Sequence, residues 1–419
     1  MYQWQQSKSG HLDDFHPPMM SFIWIILNRL PLKTIPEFSN MFVFTTVIYW
    51  LAIALISRYF SNSRKRFFAC FIVLGFSPPA FGIVSQIIKD GFCAIMLYLT
   101  FALALASRHY GYRKSISLLL SLLSLITLLV SIGLRFNAVF AAFPISFICV
   151  YGLIDSIPNP KIQDFFKRSS RRIIASIFIF LLLVFSVLTF NKQVVESHRY
   201  PEQIVTLYDV VGISVRSKHN YLPSFYETGQ NETSIENLKT LYGFSVSSIW
   251  WYEGGIKLRF VENESERDEL RKSWYHAIKS EFPSYLSHRI NAFSNLMLHN
   301  IDYNHPFQCM KGGGDTSSSI PILYESLKST FIFQGWFYVT SIILFLIAIA
   351  SYQELFSWEL ILLGASGLMY GCAYFFIAVD PHLRYLYWDI FVFSVMGLRV
   401  IPFVFEKLSL KIFRPKLEG

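Results

Sequence analysis

Apolar residues along this chain gather into long runs separated by short polar stretches, each run close to the roughly 20 residues an α-helix needs to cross a bilayer. The pattern predicts nine crossings, at residues 41–57, 67–84, 91–107, 115–133, 136–154, 173–190, 331–350, 358–379 and 385–401. A shorter apolar stretch at residues 19–30 is interrupted by Asn28, Arg29 and Pro31, which suits a helix lying at the interface. Only residues 191–330 form a sizeable polar segment. Within it, YDVVGIS and SVSSIWWYEGG read as short extended or irregular pieces. An apolar stripe follows, Leu270, Trp274, Ile278, Phe282, Leu286, Ile290, Phe293 and Met297, at helical spacing, with Pro283 expected to kink it. A Gly-rich turn, KGGGDTSSS, then precedes the return to the apolar runs.

The expected architecture is therefore an all-α polytopic membrane protein with one mixed extracytoplasmic domain. It divides into a first outer loop with a juxtamembrane helix (1–40), an N-terminal bundle (41–190), the extracytoplasmic domain (191–330), C-terminal transmembrane helices (331–402) and a basic tail (403–419). Composition agrees: 53% of the chain is hydrophobic and 16% charged, too little charge for a soluble protein of 419 residues. No internal repeat is visible, which counts against a transporter built from two related halves.

Charge refines the picture. The net charge of +9 would fit a nucleic-acid partner if the basic residues shared one surface. Instead they fall after alternate crossings: Arg58, Arg64, Lys65 and Arg66; Arg108, Arg113 and Lys114; Lys161, Lys167, Arg168, Arg171 and Arg172; and Lys407, Lys411, Arg414 and Lys416. That is the positive-inside pattern, so these loops are expected in the cytoplasm and no nucleic acid is implied. Four of the five cysteines (Cys70, Cys93, Cys149, Cys372) fall in predicted helices and Cys309 in a loop, so neither a loop disulfide nor a CxxC zinc site is expected. On this topology the first forty residues lie outside although MYQWQQSKSGH lacks a secretory h-region, and an additional helix upstream of Met1 would reconcile the two.

The polar residues most in need of a reason then share the outer face. They are Asp13, Asp14 and His16; Lys89 and Asp90; Arg135 and Asn137; and His382, Arg384 and Tyr385. Each has an ordinary reading. Lys89 and Asp90 fit an interfacial ion pair, Arg135 a snorkelling side chain, Tyr385 an aromatic belt with Tyr387 and Trp388, and His16 before Pro17–Pro18 a helix start. Their convergence at one membrane depth, from distant parts of the chain, favours a site for a phosphate-bearing lipid headgroup. Sugar transfer from a polyprenyl phosphate needs a carboxylate to accept the proton of the attacking hydroxyl and cations to stabilise the departing phosphate.

The stretch DDFHPPMM resembles the Asp-x-His-Pro-Pro element in the first outer loop of the GT-C superfamily of polytopic glycosyltransferases, which includes protein mannosyltransferases and aminoarabinose transferases. IIKDGF looks like the acidic site of their second outer loop, LRFNA like a recurrent arginine motif, and HLRY like the Arg-Tyr element before a late helix. The order of these short motifs carries the resemblance over most of the chain. It implies a transferase at the outer face of a bacterial cytoplasmic (inner) membrane, with a polyprenyl-phosphate-linked sugar donor and a glycan or glycolipid acceptor. Asp13, Asp14 and Asp90 become the catalytic carboxylates, and His16, Lys89, Arg135, Asn137, His382, Arg384 and Tyr385 the substrate contacts. A divalent metal ion held by Asp90 with His16 or His382 is a candidate cofactor. The chain departs from the pattern in one place: the family's usual base lies well upstream of His-Pro-Pro, a position that here falls near or before Met1. A polysaccharide polymerase, a lipid-linked oligosaccharide transporter and a sensor built on the outer domain are the alternatives.

Overall fold

In the computed structural model, residues 2–30, 37–84, 86–226, 233–243, 245–251, 258–299 and 330–412 are described. The Gly-rich turn, Cys309, residues 252–255 of the second irregular piece, and Arg414 and Lys416 of the tail lie outside them. The architecture is all-α. The first helices are α1 (Tyr2–Ser9), α2 (Met19–Arg29), α3 (Glu37–Tyr59), α4 (Arg64–Gly75), α5 (Pro78–Val84), α6 (Lys89–His109), α7 (Lys114–Leu134), α8 (Ala138–Ser156), α9 (Pro160–Phe165) and α10 (Ser169–Val194). The insert that follows holds α11 (Gln203–Ser217), α12 (Ile235–Leu241), α13 (Ser247–Trp251), α14 (Glu264–Ser280) and α15 (Phe282–Leu298). Three more helices close the bundle, α16 (Gly335–Ser351), α17 (Trp358–Ile377) and α18 (Tyr387–Ile412).

Seven helices among the described residues are long and apolar enough to cross a membrane, two fewer than the nine expected. The two shortfalls have separate causes. Residues 67–84 form the pair α4 and α5, bent by 69°, which makes an eighth crossing only if counted as one broken span. Pro78 and Pro79 stand at the break, where they remove backbone donors and push the preceding residue out of helical geometry. Helix α16 has 17 residues and rises about 25 Å, short of the roughly 30 Å hydrocarbon core. The short helix expected at 19–30 is present as α2, whose Met19, Met20, Trp24 and Leu27 are buried.

Helix α6 is the axis of the bundle, buried on all sides from Asp90 to Ser107. Small residues let its neighbours close in. On α7, Ser117, Ser121, Ser124, Thr127 and Ser131 recur at helical spacing and are buried, whereas Leu119 and Ile126 are each 56% exposed. Thr127 and Ser117 bond to α6 through Thr100 Oγ1 (2.9 Å) and the Ser107 carbonyl (2.7 Å). Lipid is as apolar as leucine, so association follows close packing and hydrogen bonds and leaves the leucines to the outside.

The insert has its own apolar core, around Leu207, Val211, Leu238, Ile249 and Leu270. YDVVGIS is not extended; it lies inside α11, and Ser247–Trp251 is a turn of helix. Helix α11 is buried from Leu207 to Ser214, so its apolar positions lose the one-sided period that would betray a helix. The predicted stripe across 270–297 is also divided. Pro283 starts a new helix, and Leu286 and Ile290 face outward while His288, Arg289 and Asn295 are buried.

Candidate functional site

The alternating helices carry the basic loops to one end of the bundle. There Arg108 pairs with Glu359 at 3.3 Å, Arg172 with Asp155 at 2.8 Å and Lys407 with Glu354 at 3.1 Å. The opposite end gathers the residues singled out in the sequence.

Asp90 lies in the first turn of α6, where the helix dipole favours a carboxylate, and is 3% exposed. Gly91 permits this placement, because a Cβ there would stand 3.2 Å from Ile83 in α5. Arg135, in the tight link between α7 and α8, forms an ion pair with Asp90. Its Nε donates to Asn137 Oδ1 at 3.1 Å. Arg384, in the 3-10 turn Leu383–Leu386 that opens α18, brings Nε to 3.5 Å from the other Asp90 oxygen. The guanidinium of Arg135 lies 5.3 Å from the ring centre of Tyr385 and 5.9 Å from that of Tyr374, and the two rings stack at 5.4 Å. Arg384 also faces Tyr385, at 5.3 Å.

Lys89 points to His16, Nζ to Nδ1 at 2.7 Å. Burial, then the charges of Lys89, Arg135 and Arg384, drive the pKa of His16 down to about 2. The ring is therefore neutral, and Nδ1 accepts from Lys89 Nζ. So the first loop does reach the cation cluster, through His16. His382 meets Tyr385 edge-on at 5.9 Å.

Asp13 and Asp14 are occupied elsewhere. Asp13 accepts from Tyr2, from Gln6 at 2.8 Å and from the Phe15 amide at 3.1 Å. Burial and the neighbouring Asp13 push the Tyr2 hydroxyl up to about 12, which keeps it a donor. Asp14 bonds His198 at 2.8 Å and the Arg199 amide at 2.5 Å. Together they pin the first loop to the segment after α10, where Asp13 and Ser197 form a parallel bridge. Neither makes an ion pair or hydrogen bond to Lys89, Asp90, Arg135 or Arg384.

Three participants were missed in the sequence. Asp380 accepts from Ser245 and, at 3.2 Å, from the Tyr385 hydroxyl. Its place in VDPHLRY, with three residues that were singled out, was the available signal. Tyr374 was hidden among the aromatics of an apolar run. The insert also grips the α17–α18 link: the Val246 amide donates to the Val379 carbonyl at 2.8 Å and Arg289 to the Ala378 carbonyl at 3.0 Å. No spacing rule joins residues so far apart.

The site thus holds three cations, Lys89, Arg135 and Arg384, around one carboxylate, Asp90, with Asp380 at its edge. Such an excess of forked and point-charge donors suits an anion bearing several oxygens. As a metal centre the donor set is poor: Asp90 is engaged by two guanidiniums, and among the described residues no three His, Cys, Asp or Glu side chains converge. The chain matches no family model, no curated protein and no solved structure.

Proposed function

We propose that this chain is an integral membrane glycosyltransferase, moving a monosaccharide from a polyprenyl-phosphate donor to a surface glycan or lipid-linked acceptor at the outer face of a bacterial cytoplasmic membrane. The observation that carries the proposal is the excess of cations over carboxylates at one end of the bundle, opposite the basic loops. By the positive-inside rule that end faces outward. Arg135 and Arg384 grip the donor phosphate and Lys89 adds a third positive charge. Asp90 holds the two arginines in place before the donor arrives, so little reorganisation is needed as charge develops.

The step balances simply. The acceptor hydroxyl oxygen bonds to the anomeric carbon, the bond from that carbon to the phosphate oxygen breaks, and its electron pair leaves with the polyprenyl phosphate. The hydroxyl proton passes to a carboxylate. Asp380 fits this role better than Asp13 or Asp14, because its present partners are neutral hydroxyls and it neighbours Tyr385.

The test is transfer by the purified protein in lipid nanodiscs, supplied with polyprenyl-phosphate sugars and glycan acceptors, alongside mass spectrometry of the surface glycan with and without the gene. Loss of one sugar substituent, matched by transfer that Arg135→Ala lowers by about 10²–10³-fold, supports the reading. Collapse of the glycan to single repeat units would replace it with a polymerase.

A further inference from the structure

Helix α15 turns several of its apolar residues outward. Phe282, Leu286, Ile290 and Leu298 are 55%, 38%, 51% and 52% exposed, while His288 and Arg289 between them are fully buried. The first three recur every four residues and so share one flank. The position of this helix says what meets that flank. Phe293 touches Phe375 at 5.8 Å, and Phe375 lies inside the membrane span Trp358–Ile377. Leu296 and Met297 approach Gly335 at the start of α16. Half of α15 therefore sits against the ends of two bundle helices. The next residue on α17, Phe376, is 61% exposed, so the outward flank of α15 lies next to exposed apolar surface on a candidate membrane span.

Beside that flank runs an open groove of about 520 Å³, lined by Arg216, Leu286, Ser287, Ile290, Asn291 and Ser294. It is apolar along one side and polar along the other. Arg216 donates to the Tyr242 hydroxyl at 2.6 Å and to Ser287 Oγ at 3.3 Å, lies over the Tyr242 ring, and meets no carboxylate among the described residues. A guanidinium has five N–H donors, so several remain for an anion.

We infer that this groove binds an anionic phospholipid of the surrounding bilayer, with an acyl chain along Leu286 and Ile290 and the phosphate at Arg216. Two features choose this occupant: proximity to the exposed apolar surface of α17, and a guanidinium at the polar edge that meets no carboxylate among the described residues. Bound lipid would fix the insert against the membrane, and with it the Ala378–Asp380 turn that the insert holds.

The experiment places the photo-crosslinker p-benzoylphenylalanine at Ile290, with Lys239 on α12 as control, in the full chain reconstituted in vesicles. Phosphatidylglycerol–phosphatidylcholine vesicles are compared with pure phosphatidylcholine, and adducts are weighed by mass spectrometry. The expected result is phosphatidylglycerol adducts at Ile290 but not Lys239, reduced about fivefold by Arg216→Gln, as one cation near an anionic headgroup warrants. Exchanging the vesicles tests the same charge contact without a mutation. Absence of lipid adducts at Ile290, equal yield at Lys239, chain-to-chain adducts only, or a yield insensitive to both headgroup charge and Arg216→Gln would overturn the inference.

Discussion

Two buried charge clusters lie close along the fold and are built on opposite principles. In the insert, Asp209 is matched by Arg289 at 2.7 Å and accepts from Trp274 Nε1 at 2.8 Å, with His288 Nε2 at 3.1 Å. His288 shares a hydrogen bond with the Tyr242 hydroxyl at 2.9 Å, and Gly212 leaves room for its ring, since a Cβ there would stand 2.1 Å from Nδ1. Burial lowers the pKa of His288, so the cluster amounts to one carboxylate and one guanidinium, both fully buried. At the bundle end, one carboxylate faces two guanidiniums and a lysine, and Arg384 keeps 22% of its side chain exposed. A balanced and enclosed cluster specifies a fold; an unbalanced and accessible one has capacity left for a ligand.

The largest expected effect would break the comparison on its structural side. Arg289→Ala leaves Asp209 buried without its cation and frees the Ala378 carbonyl, so it should cost about 3–5 kcal/mol, read as loss of protease resistance and a lower melting temperature. Next, Arg135→Ala should lower transfer by about 10²–10³-fold, the usual effect of removing one donor to a developing oxyanion. The protein should still insert normally, because Arg384 remains beside Asp90. If the two variants exchanged phenotypes, the contrast between the clusters would be lost.

A third test uses pH. His16 and His288 titrate near 6.5 when unfolded and lower when folded, so below pH 6.5 the unfolded chain binds more protons. Their contribution to stability is complete above pH 6.5 and is lost as pH falls from there toward the folded value, about 2 for His16. Between pH 6.5 and 5 the loss from His16 should be about 2 kcal/mol, and His16→Asn should remove that part of the slope in urea titrations. The smallest effect should come from Asp14→Asn. Its carboxylate holds His198 and the Arg199 amide, so transfer should stay within about threefold of the parent, a surface-pair effect. A thousandfold loss there would return Asp14 to the centre of the chemistry.

Much of the site was legible because its residues violate local expectation. Charges at the ends of apolar runs are costly, so Lys89, Asp90, Arg135 and Arg384 announced themselves, and the structure brings them together. Asp13 and Asp14 announced themselves equally well, yet they hold two backbone segments together. Adjacency in sequence could not separate them from His16, the one member of that loop that reaches the cations.

What the sequence determined by itself is the membrane class, most of the spanning helices, the short apolar helix α2 and the two-ended distribution of charge. These depend on run length and on the cost of placing charge in hydrocarbon, both local properties. The tertiary structure alone decided which faces are inside. On α7 Ser117, Ser121, Ser124 and Ser131 turn inward while Leu119, Leu122 and Leu123 are exposed, and on α15 His288 and Arg289 are buried while Leu286 and Ile290 are exposed. Where lipid replaces water as the surroundings, apolarity no longer marks the core. Only the packed neighbours show which side chains are enclosed.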